Sequence, residues 1–302
     1  MNKPFYLFCK SYIGDLDRVA RLWSSIERFN VNEIPFYLCV PFSDLVEFKN
    51  RLGVHSDRIV FLTDEEIIKK NPRLNLVDYA NWPGYLAQQV VKSEFWRFFD
   101  VQDVTYLCID SESVFIKDFY IDDFVSENGP YTVLHQNKEL LQLASNRRIE
   151  KVVRNFHQTC SKAKSIFGRI GPDYDYGPTP VVWSSKVWQD LDSKYLIPNG
   201  ITIWDAILQF PSELSWYGEA LLFYKSVPLQ PVEPFFRVYH YDWQYLRMKK
   251  LGETEEAVRS QYIGVLMQSN WDYSTDYGVQ ANRKSFLSKL LKSIKRFFAN
   301  YR

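Results

Sequence analysis

The strongest constraint on this chain is an alternation in its first 120 residues. Three apolar runs, "PFYLFCKSY", "IPFYLCVP" and "DRIVFLTDEEI", read as strands, and the segments between them carry apolar residues at helical spacing. In "GDLDRVARLWSSIERFN" those positions are Leu16, Val19, Ala20, Leu22, Trp23 and Ile26. "SDLVEFKNRLG" is a second helix, with Ser43 placed to cap its start and Gly53 its end. A β-α-β-α-β order implies a parallel sheet with right-handed crossovers. The expected fold class is therefore α/β: a Rossmann-like, mostly parallel central sheet flanked by helices.

One further unit follows. "NWPGYLAQQVVKSEFWRFFD" reads as a loop closed by Pro83 and Gly84, then a helix turning Leu86, Val90, Phe95 and Phe98 inward, with Gln88, Gln89 and Lys92 on other faces. "TYLCIDSESVFIKDF" supplies the fourth strand. Beyond it come a strand in "PYTVLHQ", a polar helical segment from Lys138 to Phe167, and a short strand and helix in "GPTPVVWSSKVWQDL". The remainder is a mixed α+β C-terminal half. No repeat and no low-complexity linker interrupts the chain. The expected organisation is one domain over residues 1–282, nucleotide-facing to residue 120 and acceptor-facing from 121, followed by a tail over 283–302.

With 302 residues, 46% of them hydrophobic, the chain can bury a sizeable core, and disorder is excluded for most of its length. Aromatic residues reach 17%, enough for core packing with rings left over to stack on a sugar or base. The net charge of +1 hides an asymmetry: residues 283–302 hold seven Lys or Arg and no acid, so the body before them is mildly acidic. That distribution argues against nucleic acid as a partner, because a nucleic-acid binder carries its basic surface on the fold itself. In the tail, Phe286, Leu290, Ile294, Phe297 and Phe298 share one helical face flanked by Lys289, Lys292 and Lys295, the pattern of an amphipathic helix at an anionic membrane surface. Cys9, Cys39 and Cys108 fall inside strand-like runs and read as small hydrophobes. No zinc-type spacing, signal peptide or 18-residue apolar run occurs, so the expected location is cytoplasmic, peripheral on the inner face of the membrane.

Asp110 and Glu112 stand at the end of the fourth strand. Ligands of open parallel sheets bind beyond the carboxyl ends of the strands, and strand alternation would point both acids to one side. Two hard oxygen ligands so placed suit a magnesium or manganese ion bridging a diphosphate. A cap and a solvated acid is the plain alternative.

"YLCIDSESVF" resembles the Asp-x-Asp strand end of GT-A-fold glycosyltransferases. Other stretches resemble one bacterial family of that fold, first catalogued as proteins of unknown function. They are "SYIGDLDRVARLWSSIERFN", "PGYLAQQVVK" with its Tyr-x-x-Gln-Gln-x-x-Lys helix, "SELSWYG" as Ser-Glu-x-x-x-Tyr-Gly, and "YHYD" followed by "YIGVLMQSNW". The likeness runs from about residue 5 to 273. It implies a GT-A-like fold and transfer of a sugar from a nucleotide-diphosphate donor, a UDP-sugar first. The acceptor would be a glycan or lipid-linked molecule in capsule, lipopolysaccharide or O-antigen synthesis. It also implies a divalent metal (Mn2+ or Mg2+) on Asp110 and Glu112. Many GT-A enzymes add a late histidine, which by resemblance makes His240 the third ligand, with Asp242 nearby as the alternative. The chain departs from the family in one place: Glu112 stands where Asp is usual, keeping the charge and adding a methylene.

The remaining candidates follow from position. Lys10, Ser11 and Tyr12 end the first strand, and Arg18 opens the next helix with Asp15, the usual place for nucleotide contacts, with Tyr12 as a stacking ring. Gln88, Gln89 and Lys92 share about one helical turn, where Lys92 could neutralise a diphosphate. Ser111 lies between the two acids. Asn270 and Trp271 in "QSNW" could line the sugar pocket. An inverting transfer needs a general base; "PSELSWYGEALL" offers Glu213, in the first turn of a helix opened by Pro211 or Ser212, and Glu219 on its flank. Two rivals compete with this reading: a sugar nucleotidyltransferase, which lacks the expected early glycine-rich loop here, and a non-catalytic carbohydrate-binding protein that kept the fold.

Overall fold

The structure is a computed structural model that describes residues 4–53, 58–100, 103–267 and 294. The tail over 283–302, Asn270 and Trp271 therefore lie outside the described residues, Ile294 excepted. Four parallel strands form the central sheet: β1 (Phe5–Lys10), β2 (Phe36–Val40), β3 (Ile59–Thr63) and β4 (Thr105–Ile109). The order across the sheet is β3-β2-β1-β4, and the strand Val181–Ser184 closes the β4 edge antiparallel. The expected mostly parallel sheet is present, and the fourth strand pairs with β1.

Both faces of this sheet are buried, which explains why its strands read as continuous apolar runs. Leu7, Cys9, Leu38, Leu107 and Ile109 point to one side, where they meet Val19, Leu22, Trp23 and Ile26 of the helix Leu16–Phe29. Each such side chain contributes roughly 1.5–3 kcal/mol by leaving water. Phe8, Cys39, Tyr106 and Cys108 point to the other side, against Leu86, Val90 and Val91 of the helix Gly84–Glu94 and Trp216 of the helix Glu213–Tyr224. All four cysteines are free and buried, as small hydrophobes would be.

A second sheet is built from distant parts of the chain. β5 (Ser113–Phe115) pairs antiparallel with Gly264–Met267, which pairs parallel with Phe236–Tyr239. Met267 and Tyr239 end level with one another. The C-terminal half thus returns to the turn that carries Asp110 and Glu112. Among the described residues, no helix is long and apolar enough to cross a membrane.

Several local expectations shift. The helix Leu45–Leu52 begins after Asp44, one residue later than Ser43, because Phe42–Asp44 forms a single 3-10 turn; Gly53 ends it at φ +86°. The polar segment from Lys138 is two helices, Lys138–Asn146 and Glu150–Phe167, broken where Arg148 takes φ +55°.

The "SELSWYG" stretch has a structural reason at three of its four motif positions, Ser212, Tyr217 and Gly218. Ser212 caps the helix, its hydroxyl accepting from the Ser215 amide at 3.2 Å. Tyr217 accepts from the Ser184 amide at 2.8 Å, tying the helix to the sheet edge. Gly218 lets the Tyr176 ring lie against the helix: a Cβ there would meet the ring at 2.0 Å. Gly218→Ala should therefore lower stability by about 1–3 kcal/mol, the usual cost of overpacking a closed core. A urea titration that finds the two proteins equally stable would contradict this packing.

Candidate functional site

In the order 3-2-1-4 the sheet grows one way from β1 to β3 and the other way from β1 to β4, so a crevice opens beyond the carboxyl ends of β1 and β4. A cleft of about 690 Å³ lies there. Lys10, Ser11 and Tyr12 enter it from the end of β1, Asp64 from the end of β3, and Asp110, Ser111 and Glu112 from the end of β4. Gln88 and Lys92 face it from the helix Gly84–Glu94, with Tyr79, Trp82 and Tyr85 forming an aromatic wall. That wall is anchored from below: Trp82 stacks on Trp204 with ring centroids 4.0 Å apart, and Arg73 donates to the Ile201 carbonyl at 2.9 Å.

Beneath the strand-end acids lies a set of buried cations. The Lys92 ammonium, in a residue only 4% exposed, donates to Asp110 Oδ1 at 2.6 Å and lies 3.3 Å from Glu213 Oε1. Thr179 donates its hydroxyl to the other Asp110 oxygen. Burial alone would push the Asp110 carboxyl up; the Lys92 charge and the hydrogen bonds from Lys92 and Thr179 outweigh it and hold the group below the ordinary carboxylate range. Lys92, which burial alone would push down, is held well above the ordinary lysine range by the Asp110 and Glu213 carboxylates. Lys10 pairs with Asp64 at 3.0 Å, and Asp64 also accepts from Tyr79 at 2.5 Å. Arg18, fully buried, donates to Asp15, which also accepts from Ser111 at 3.0 Å. Burial raises the Asp15 carboxyl despite Arg18 and Ser111. Among the described residues, the buried Ser11 hydroxyl has no hydrogen-bond partner.

Several expected placements change. Asp110 and Glu112 do not alternate along a strand: β4 ends at Ile109, and the Ser113 amide donates to the Asp110 carbonyl at 3.0 Å, closing a turn. The turn still presents both acids to the cleft. Arg18 does not line the cleft; it is buried beside Asp15, which does. Gln89 points partly inward, its amide donating to the Tyr85 carbonyl at 3.0 Å. Glu213 opens its helix as expected, but it is buried and faces Lys92 below the cleft floor. Glu219 is not on a helix flank. It is buried away from the cleft, bound by Arg169 at 2.7 and 2.8 Å and by the Tyr176 hydroxyl at 2.8 Å, a structural ion pair.

His240 lies just beyond the strand Phe236–Tyr239, and the sheet register places it about 10 Å from Glu112, two strand spacings away. Burial, with the charges of His135 and Arg237, lowers its pKa to about 4, so it is neutral at pH 7. Among the described residues, no three His, Cys, Asp or Glu side chains converge closely enough to hold a metal ion. His135 faces Glu233 and His157 pairs with Asp173 at 2.7 Å, both outside the cleft. Sequence reasoning missed Thr179, 69 positions from the acid it binds, for which no local signal exists. It also passed over Asp64, although an acid directly after the third buried strand obeys the same strand-end rule as Asp110.

The family described as "Family of unknown function (DUF6492)" matches residues 4–299. The chain belongs to that family. No curated protein matches the sequence. Among solved structures, the DUF6492 chain is similar to a galactosyltransferase, LgtC, in complex with donor and acceptor sugar analogs, at 12% identity and a TM-score of 0.53 over 92% of each chain. An active-site mutant of LgtC matches at 12% identity, TM-score 0.53, over 95% of each chain. The WbbM bifunctional glycosyltransferase matches at 11% identity and a TM-score of 0.52, over 90% of this chain and 47% of that one. At such identities the likeness shows the fold, which is of the GT-A glycosyltransferase type.

Replacing Lys92 tests the charge arrangement directly. Lys92→Met leaves Asp110 and Glu213 facing an apolar group, and should cost about 2–3 kcal/mol at pH 7, below the usual range for a broken buried pair because a third of the Asp110 side chain is open to solvent. In the wild type the depressed Asp110 pKa gives stability that is present above its unfolded value and lost as pH falls. In the variant this dependence should weaken or reverse, since protonation then relieves an uncompensated carboxylate. Urea midpoints at pH 4.5 and 7 report both effects; equal losses at the two pH values would contradict the assignment.

Proposed function

We propose that this protein is a glycosyltransferase, moving a sugar from a nucleotide-diphosphate donor, a UDP-sugar first, to a glycan or lipid-linked acceptor in bacterial surface polysaccharide synthesis. One observation carries the reading. Asp110, preset as a carboxylate by Lys92 and Thr179, lines a cleft at the switch point of a GT-A-type sheet. The other walls match a nucleotide in kind: Tyr12, Tyr79, Trp82 and Tyr85 offer ring faces for a base, and the unpartnered Ser11 hydroxyl offers a polar contact.

The donor set suits a divalent ion. Asp110 and Glu112 bring carboxylate oxygens to one cleft, and magnesium-type ions are commonly held by one or two carboxylates, with phosphate oxygens and water completing the shell. A carboxylate offers about four acceptor sites, so Asp110 can serve Lys92, Thr179 and an ion together. Such an ion would supply charge neutralisation for the leaving diphosphate. His240 has the neutral form a ligand needs but stands apart from the two acids.

The chain's own residues set the rest. Lys92 fixes the Asp110 carboxylate, and Glu213 shares and steadies that ammonium from below, a positioning part in place of the general-base part expected from sequence. In the transfer, an acceptor hydroxyl oxygen bonds to the anomeric carbon. The bond from that carbon to the diphosphate oxygen breaks, the diphosphate leaves with the electron pair, and the hydroxyl proton passes to solvent or a cleft carboxylate. A cytoplasmic location beside the membrane, held by the basic tail, belongs to the same reading.

A thermal-shift screen of nucleotides and nucleotide sugars, with and without manganese, checks the proposal. A true donor at about 100 times its Kd should raise Tm by several degrees through mass action. That rise, and sugar release from the donor, should need the metal and should vanish in Asp110→Asn. Turnover that survives both EDTA and Asp110→Asn would overturn the reading.

A further inference from the structure

A second cavity of about 380 Å³ lies against the outer face of the three-stranded sheet, and Glu112 lines both it and the first cleft. Its floor is apolar, formed by Val114 and Val265, which are register partners on β5 and the strand Gly264–Met267. Tyr239 and Tyr245 stand beside that floor with rings perpendicular and centroids 5.0 Å apart. The charged groups are Arg21, Lys249 and Arg259 against Glu112 and Glu255. Among the described residues, neither Lys249 nor Arg259 has a carboxylate within ion-pair distance; Lys249 stands 5.7 Å over the Tyr245 ring. The first cleft is different in kind: its lining holds Asp15, Asp44, Asp64, Asp110 and Glu112 against Lys10 and Lys92.

Resting on the glycosyltransferase reading above, we propose that this second cavity is the acceptor subsite and that it selects an acceptor sugar bearing an anionic group, a carboxylate or a phosphate. Three features meet there. The cavity adjoins the first cleft at Glu112, so a hydroxyl at that boundary reaches the donor's anomeric carbon. The apolar floor and paired tyrosines suit the apolar face of a sugar ring. Lys249 and Arg259, which have no carboxylate within ion-pair distance among the described residues, supply the charge that fixes an anion's position and disfavours a neutral competitor. Transfer at this place follows the bond changes already given, with the anionic group itself unchanged.

The test uses the full chain and three probes: a glucuronic-acid-terminated disaccharide, a disaccharide phosphate, and their neutral glucose-terminated counterpart, with inorganic phosphate alone as a control. Binding is measured by saturation-transfer NMR. At least one acidic probe should bind about 10-fold tighter than the neutral one, which is about 1.4 kcal/mol; which acid wins separates carboxylate from phosphate. The Lys249→Gln/Arg259→Gln double variant should lose that preference while keeping the Tm rise given by UDP with manganese, since neither residue faces the first cleft. Equal binding of acidic and neutral probes, an unchanged preference in the variant, or inorganic phosphate binding as tightly as the acidic sugars would each overturn the proposal. A wild-type protein that shows charge preference but no response to any nucleotide sugar would overturn the transfer reading and the acceptor role with it, separately from the cavity's selectivity.

Discussion

The buried ammonium of Lys92 is the interaction on which the site depends. It is reached from three parts of the chain: its own helix Gly84–Glu94, Asp110 at the end of β4, and Glu213 at the start of Glu213–Tyr224. A lone lysine at that depth would shed its proton; two carboxylates keep the charge. In return the ammonium keeps Asp110 ionised and pointed into the cleft. The same device recurs beside it, with Lys10 under Asp64 and Arg18 under Asp15. Asp110, Asp64 and Asp15 each have a buried cation within ion-pair distance, so these three carboxylates are held in place by the fold itself.

This arrangement explains why the two motifs flanking the acid turn carry the residues they do. In "YLAQQVVK" the lysine is the counter-ion and Gln88 the cleft-facing group, while Gln89 bonds back to its own helix. In "SELSWYG" each fixed residue attaches the helix to something: Ser212 to its own first turn, Glu213 to Lys92, Tyr217 to the sheet edge and Gly218 to the Tyr176 ring. Acids that look catalytic by type are thus found in buried contacts, Glu213 with the Lys92 ammonium and Glu219 elsewhere in the core. Glu219 is buried and held by Arg169 and the Tyr176 hydroxyl, outside the lining of the cleft.

Glu112 ties the two halves together. It belongs to the turn after β4, it lines the acidic first cleft, and it borders the second cavity, whose floor is completed by a strand some 150 positions later. Its extra methylene relative to aspartate has a setting here, since a residue serving two adjoining spaces gains from reach.

The sequence by itself determined the layered sheet and the position of Asp110. Strands buried on both faces must be apolar throughout, helices covering them must repeat every three to four residues, and an acid after such a strand must emerge at its carboxyl end. It equally marked Lys10, Ser11 and Tyr12, which end the first strand. Only the tertiary structure decided that β4 would pair with β1, placing the switch point between them. Only it could bring Thr179 to Asp110, Glu213 to Lys92 and Gly264–Met267 to β5. Those contacts join positions separated by 69 to about 150 residues. Nothing in local spacing encodes such a meeting; it follows from how the whole chain closes around its core.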